Sequence, residues 1–133
     1  MTFPGRFEDS IVPDQLDKIA LSFLVDDLEV RRGGTGANIA FSLAKLGHRP
    51  LLVASVGKDF ETEYRGWLDA AGVDTSDVQV SETRHTARFV CTTDSALAQI
   101  SSFYPGAMSE ADTIDLAELG EFDLVLISPD DPA

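Results

Sequence analysis

Apolar residues in this chain fall in short runs whose spacing switches between strand and helix. "KIALSFLVD" (18–26) is dense in apolar residues and reads as a strand, with "LEV" (28–30) extending it past a kink or bulge at Asp26-Asp27. From Thr35 to Leu46 the spacing predicts a helix carrying Ile39, Leu43 and Leu46, and Gly47 is placed to end it as a left-handed cap. "PLLVASVG" (50–57) is a continuous apolar run ending in Gly, the pattern of a buried parallel strand. Asp59 stands where a helix cap belongs, and Phe60, Tyr64, Trp67, Leu68 and Ala71 then share one face up to Gly72. Strand, helix, strand, helix is the order of a parallel α/β layer.

The period then changes. "TARFVCTTD" (86–94) alternates, with Ala87, Phe89 and Cys91 on one side and Arg88, Val90 and Thr92 on the other. A second strand, Ala98 to Phe103, follows a short polar link, so the pair reads as an antiparallel hairpin. A helical segment from Ser109 to Leu119 comes next, then a buried strand in "FDLVLISPDDPA". The chain therefore predicts two kinds of sheet. One is parallel and helix-covered. The other is antiparallel, built from 18–30 and 86–103, and resembles a flap set into an α/β core.

Composition narrows the picture. The 133 residues are 44% hydrophobic and 25% charged, as in one ordinary globular domain. A net charge of -13 repels phosphates and membrane surfaces, so neither nucleic acid nor membrane is an expected partner. Lone Cys91 excludes an internal disulfide and fits a reducing, cytoplasmic setting. "MTFPGRFEDS" has no apolar signal-peptide core.

"RRGGTGANIAFSLAKLG" (31–47) carries the most specific chemistry. Gly34 and Gly36 match two positions of a dinucleotide fingerprint, but Ala40 falls one position past the third, and no Walker phosphate loop is present. A tight turn before a helix explains the glycines equally well. Asn38 shifts the balance, because it is a weak helix former in the first turn whose amide can donate and accept at once. Glycines that admit a ligand to the backbone, beside an Asn that can bracket two vicinal hydroxyls, point to sugar recognition. Phe89 and Phe103 either pack the flap or stack on a planar ligand group. Ser22 either faces solvent, bonds the backbone or touches ligand. His48 and His85 lack metal-ligand spacing, Cys91 reads as a small core residue, and Asp26-Asp27 and Asp130-Asp131 read as solvated turns.

These residues resemble the PfkB (ribokinase-like) family of carbohydrate and nucleoside kinases. The Gly-Gly segment is similar to that family's N-terminal motif, and "LLVASVGKDFE" to its V-G-x-D continuation. "LSFLVDDLEVRRGG", "SETRHTARFVCTTD" and "AQISSFYPGAMSEA" are similar in detail to bacterial adenosine kinases of this type. The resemblance implies a partial ribokinase-like three-layer α/β core with a parallel sheet plus a small β-sheet lid, truncated at both ends. The lid would comprise 14–32 and 84–107, and the core 33–83 and 108–133. The implied activity is transfer of the ATP γ-phosphate to the 5′-hydroxyl of adenosine, with Mg²⁺. Gly34 and Asn38 match ribose-binding positions, with Gly33 completing the turn. Ser22 matches a lid residue near the nucleoside, and Phe89 and Phe103 match aromatics that sandwich the adenine. In several members the lid also forms a dimer contact, so a homodimer is among the expected arrangements. Two family features are missing: an opening strand that ends near a Gly-Ser pair and an acceptor-binding Asp, and a later G-A-G-D-like motif that supplies the phosphate-binding amides and the base. The resemblance thus implies the acceptor-binding part of a kinase, with no catalytic residue of its own, inactive alone and binding neither ATP nor Mg²⁺. Two rivals are a kinase for another sugar, such as ribose or fructose, and a non-catalytic lid or dimerisation module.

Overall fold

The computed structural model describes residues 1–11 and 20–130. The chain divides into two compact units, one of Met1–Arg31 with Phe89–Phe103, the other of Arg32–Arg88 with Tyr104–Ala133.

The second, α/β unit is built on strands β1 (Ala54–Gly57) and β2 (Val78–Ser81), paired in parallel with Ala54 opposite Val78 and Gly57 opposite Ser81. Between them the chain runs through a π-helical turn (Glu61–Arg65) into helix α2 (Gly66–Ala71). Helix α1 (Thr35–Lys45) packs beside it. Leu52, Val56, Phe60, Leu68, Val73 and Val78 form the core with Ala40. Burial of such side chains stabilises by roughly 1.5–3 kcal/mol each before the entropy of ordering is counted. Both helices end as expected: Gly47 and Gly72 take φ of 91° and 96°, the left-handed region that favours glycine.

The core-facing side of α1 is its alanine side. Ala37, Ala40, Phe41 and Ala44 face the core, and Phe41 stacks on Trp67 at 4.4 Å. The small alanines let the helix approach closely. Ile39, Leu43 and Leu46 instead line an open depression of about 390 Å³ with Thr35, Asn38 and Ser42. The helix expected over 109–119 is two 3-10 segments, Gly106–Thr113 and Leu116–Leu119, parted where Ile114 and Asp115 turn extended. Asp115 caps the second by accepting the Ala117 N–H at 2.9 Å. The strand expected in 122–128 does not form. β1 and β2 pair only with each other, so this run has no ladder among the described residues, and Leu124 and Ile127 are 73% and 90% exposed.

The first unit carries all but the outer end residues of β3 (Arg88–Thr93) and β4 (Gln99–Tyr104), a two-stranded sheet whose five-residue link permits only antiparallel pairing. Phe3, Phe7 and Phe23 form its aromatic cluster, with centroids 4.8 to 5.6 Å apart. Among the described residues 20–30, the strand expected over 18–26 and 28–30 is not found. Residues 12–19 lie outside the described residues, and 20–30 pair only through a Thr2–Asp27 bridge. Met1–Phe3 lie along β3: Phe3 N–H donates to Thr93 O and Thr93 N–H to Met1 O.

Candidate functional site

The glycine turn is fixed from both sides. Arg32 Nε donates to Glu63 O at 2.7 Å, and its guanidinium lies over the Trp67 ring at 5.5 Å. Gly33 N–H donates to the Tyr64 hydroxyl at 2.9 Å. Gly34 then takes φ 91° and ψ 120°, a conformation closed to other residues without strain, and leads into α1. Its carbonyl accepts the Asn38 N–H at 2.9 Å. The three preceding N–H groups open the helix without an intrahelical partner. Asn38 is exposed, and its side-chain amide makes no hydrogen bond among the described residues, so its donor and acceptor are both available. A Cβ on Gly36 would approach Ser128 Oγ to 3.2 Å, which places the 121–130 segment alongside this first turn.

Asp59, expected as a cap, does different work. Its Oδ1 accepts the Thr86 N–H and hydroxyl at 2.9 and 3.0 Å, and its Oδ2 faces Arg88 at 3.3 Å. Partial burial pushes its pKa up, but these hydrogen bonds outweigh that and hold the carboxyl below its ordinary value. Gly57 lies under the same loop. Any Cβ there would run into the backbone of Arg84, His85 and Thr86, and its N–H donates to Thr86 Oγ1 at 3.0 Å.

In the other unit, the matching strand bounds and the Asp94 N–H to Ala98 O bond of 3.0 Å set Phe89 opposite Phe103. Directly opposed residues share one face of a hairpin. The rings are 66% and 56% exposed and belong to no aromatic cluster, so an apolar pair is displayed rather than packed. Ser22 is exposed in the same unit. The hairpin loop is organised by Asp94, which is buried and accepts N–H groups from Phe7, Ala96 and Ala98 at 2.9 Å each. The Phe7 N–H leads in holding its pKa below the ordinary value, against desolvation.

Of the six candidate binding residues, Gly33, Gly34 and Asn38 are thus brought together in the α/β unit and Phe89 and Phe103 in the hairpin unit, to which Ser22 also belongs. Tyr64, Arg32 and Asp94 escaped sequence reasoning. Tyr64 offered a faint signal as a hydroxyl on an otherwise apolar helix face, and Asp94 as an Asp directly after a strand, where its side chain can bond the next turn's amides.

Residues 9–131 match the model of the pfkB family of carbohydrate kinases. The chain belongs to that family. Among PfkB relatives, the nucleoside kinase of Burkholderia thailandensis, solved in complex with inosine, is 33% identical with a TM-score of 0.76, covering 98% of this chain and 40% of that one. The Methanocaldococcus jannaschii nucleoside kinase, an archaeal member of the ribokinase family, gives 28% identity and a TM-score of 0.67 over 73% of this chain and 33% of its own. A curated nucleoside kinase of Methanothermobacter thermautotrophicus is 42% identical over 76 residues, 56% of this chain and 25% of the relative. The chain therefore spans a quarter to two fifths of the length of these PfkB relatives. Its α/β fold, with a parallel core sheet and a separate small antiparallel sheet, is the partial ribokinase-like architecture they share. Among the described residues no helix is long and apolar enough to cross a membrane.

Proposed function

We propose that this chain is the acceptor-binding part of a nucleoside kinase that transfers the ATP γ-phosphate to the 5′-hydroxyl of adenosine. The observation that carries the reading is the Gly33-Gly34 turn feeding a helix whose first-turn Asn38 presents an unused amide, in a chain similar to nucleoside kinases. Gly33, Gly34 and Asn38 hold the ribose hydroxyls, and the displayed Phe89–Phe103 pair receives the purine, with Ser22 beside it. Residues 14–32 and 84–107 serve as the lid, and 33–83 with 108–133 as part of the core. ATP and Mg²⁺ belong to the complete kinase. Among the described residues no group of three or more His, Cys, Asp or Glu could hold a metal ion. Phosphoryl transfer depends on positioned electrostatic groups, which we place in the part of the relatives that this chain does not span.

Saturation-transfer NMR tests the reading. Irradiating the protein should transfer signal to the base and ribose protons of adenosine, and much less to free ribose. Equal transfer to both would favour a sugar kinase. A second reading, the dimerisation module, is favoured by the apolar side chains exposed on the hairpin, Val90 at 47% and Leu97 at 82%. Sedimentation showing a dimer broken by Val90→Glu, without any nucleoside signal, would select it.

A further inference from the structure

The chain passes from the hairpin unit into the α/β unit at Arg31–Arg32, back into the hairpin unit at Arg88–Phe89, and into the α/β unit again at Phe103–Tyr104. The first two of these crossings are held on the α/β side by the opening turns of one helix. At the first, Arg32 Nε meets Glu63 O and Gly33 N–H meets the Tyr64 hydroxyl. At the second, Thr86 bonds Asp59 Oδ1 twice, and Arg88 faces both Asp59 Oδ2 at 3.3 Å and Glu63 Oε2 at 3.5 Å. Glu63 touches both crossings, through its carbonyl and its carboxylate. It sits with Tyr64 in the π-helical turn, a wide turn that occurs frequently at functional places in helices.

We infer that residues 59–67 form a common footing that couples the two crossings, with Asp59, Glu63 and Tyr64 as positioning residues for Gly33 on one side and Thr86–Arg88 on the other. The exposed Arg88 ion pairs are weak alone. The Tyr64 and Asp59 hydrogen bonds are the firmer ties, because Asp59 is only 14% exposed and its acceptor serves two donors. Gly33 precedes Gly34 and Asn38, and Arg88 precedes Phe89, so the residues assigned to sugar and base both start from this footing. That consequence rests on the nucleoside reading; the coupling does not.

Amide hydrogen exchange on the free chain tests the coupling without any ligand. Tyr64→Phe keeps the ring beside Phe60 and Trp67 but removes the acceptor for Gly33. Exchange should quicken roughly tenfold at Gly33 and about threefold at Thr86, while Val56 and Val80 in the sheet stay unchanged. Asp59→Ala should show the reverse order. Asp59→Asn, which keeps an acceptor oxygen for Thr86, should restore protection at both places. If each variant alters only its own crossing, the footing is not shared and the inference fails. Should Asp59→Ala disturb the whole sheet, the Thr86 response in Tyr64→Phe decides alone.

Discussion

The α/β unit and the hairpin unit bury their apolar residues very differently. In the first, Leu52, Val56, Phe60, Leu68, Val73 and Val78 make one core, and Leu68 is fully enclosed. In the second, Phe7 is the one large apolar side chain that is buried among the described residues, while Leu24, Leu28, Val30, Phe89 and Phe103 are exposed. A packed core makes a rigid scaffold, and apolar side chains left in solvent are those available to a ligand or partner. The difference separates residues that hold the fold from residues that can afford to recognise something.

The largest expected effect breaks the scaffold. Leu68→Ala leaves a cavity in a core that cannot readily collapse, and should cost roughly 2–5 kcal/mol in urea denaturation. Val90→Ala, half-exposed on the hairpin, should cost less than about 0.5 kcal/mol. Equal losses would erase the contrast between the units.

Phe103→Ala sharpens it. A stacked base gains roughly 1–3 kcal/mol from an aromatic partner, and a sugar without a base gains little. Adenosine affinity should fall by that amount and ribose affinity should hold. A parallel fall for both ligands would make Phe103 a packing residue of the hairpin.

The smallest effect appears in acid. The Asp94 and Asp59 carboxyls are held below their ordinary values in the fold, so their contribution is complete above the unfolded value of about 3.9 and is lost as pH falls through the lower folded value. The Phe7, Ala96 and Ala98 amide resonances should shift in that acid range, as Asp94 takes up its proton. Asp94→Asn should remove the transition. A wild-type transition retained in the variant would assign it elsewhere.

The α/β unit was largely legible because its cues are local. Gly47 and Gly72 stop helices by backbone conformation, and Phe60, Tyr64, Trp67 and Leu68 share a face through helical spacing alone. Segments that depend on a neighbour misled the pattern. Residues 122–127 look like a buried strand but have no strand to pair with among the described residues, and 20–30 meet the sheet only through a Thr2–Asp27 bridge among the described residues. The spacing of Ile39, Leu43 and Leu46 marked α1 as a helix but not its buried side, because alanines, weak in any hydrophobic count, make the close packing. At the site, the glycines and Asn38 could be named from residue type, whereas Tyr64 as the partner of Gly33 depends on a contact 31 residues apart that no local spacing encodes.

The central claim is that Asn38 holds a ribose. Calorimetric titration of adenosine into the wild-type chain and Asn38→Ala, with thermal melting of both, tests it most directly. Asn38 is exposed and its amide has no hydrogen-bond partner among the described residues to lose, so melting should not change. Adenosine affinity should weaken by roughly 1–3 kcal/mol, the range for removing one side of a ligand hydrogen-bond pair. Unchanged affinity with unchanged melting would contradict the account and leave Asn38 an ordinary first-turn residue.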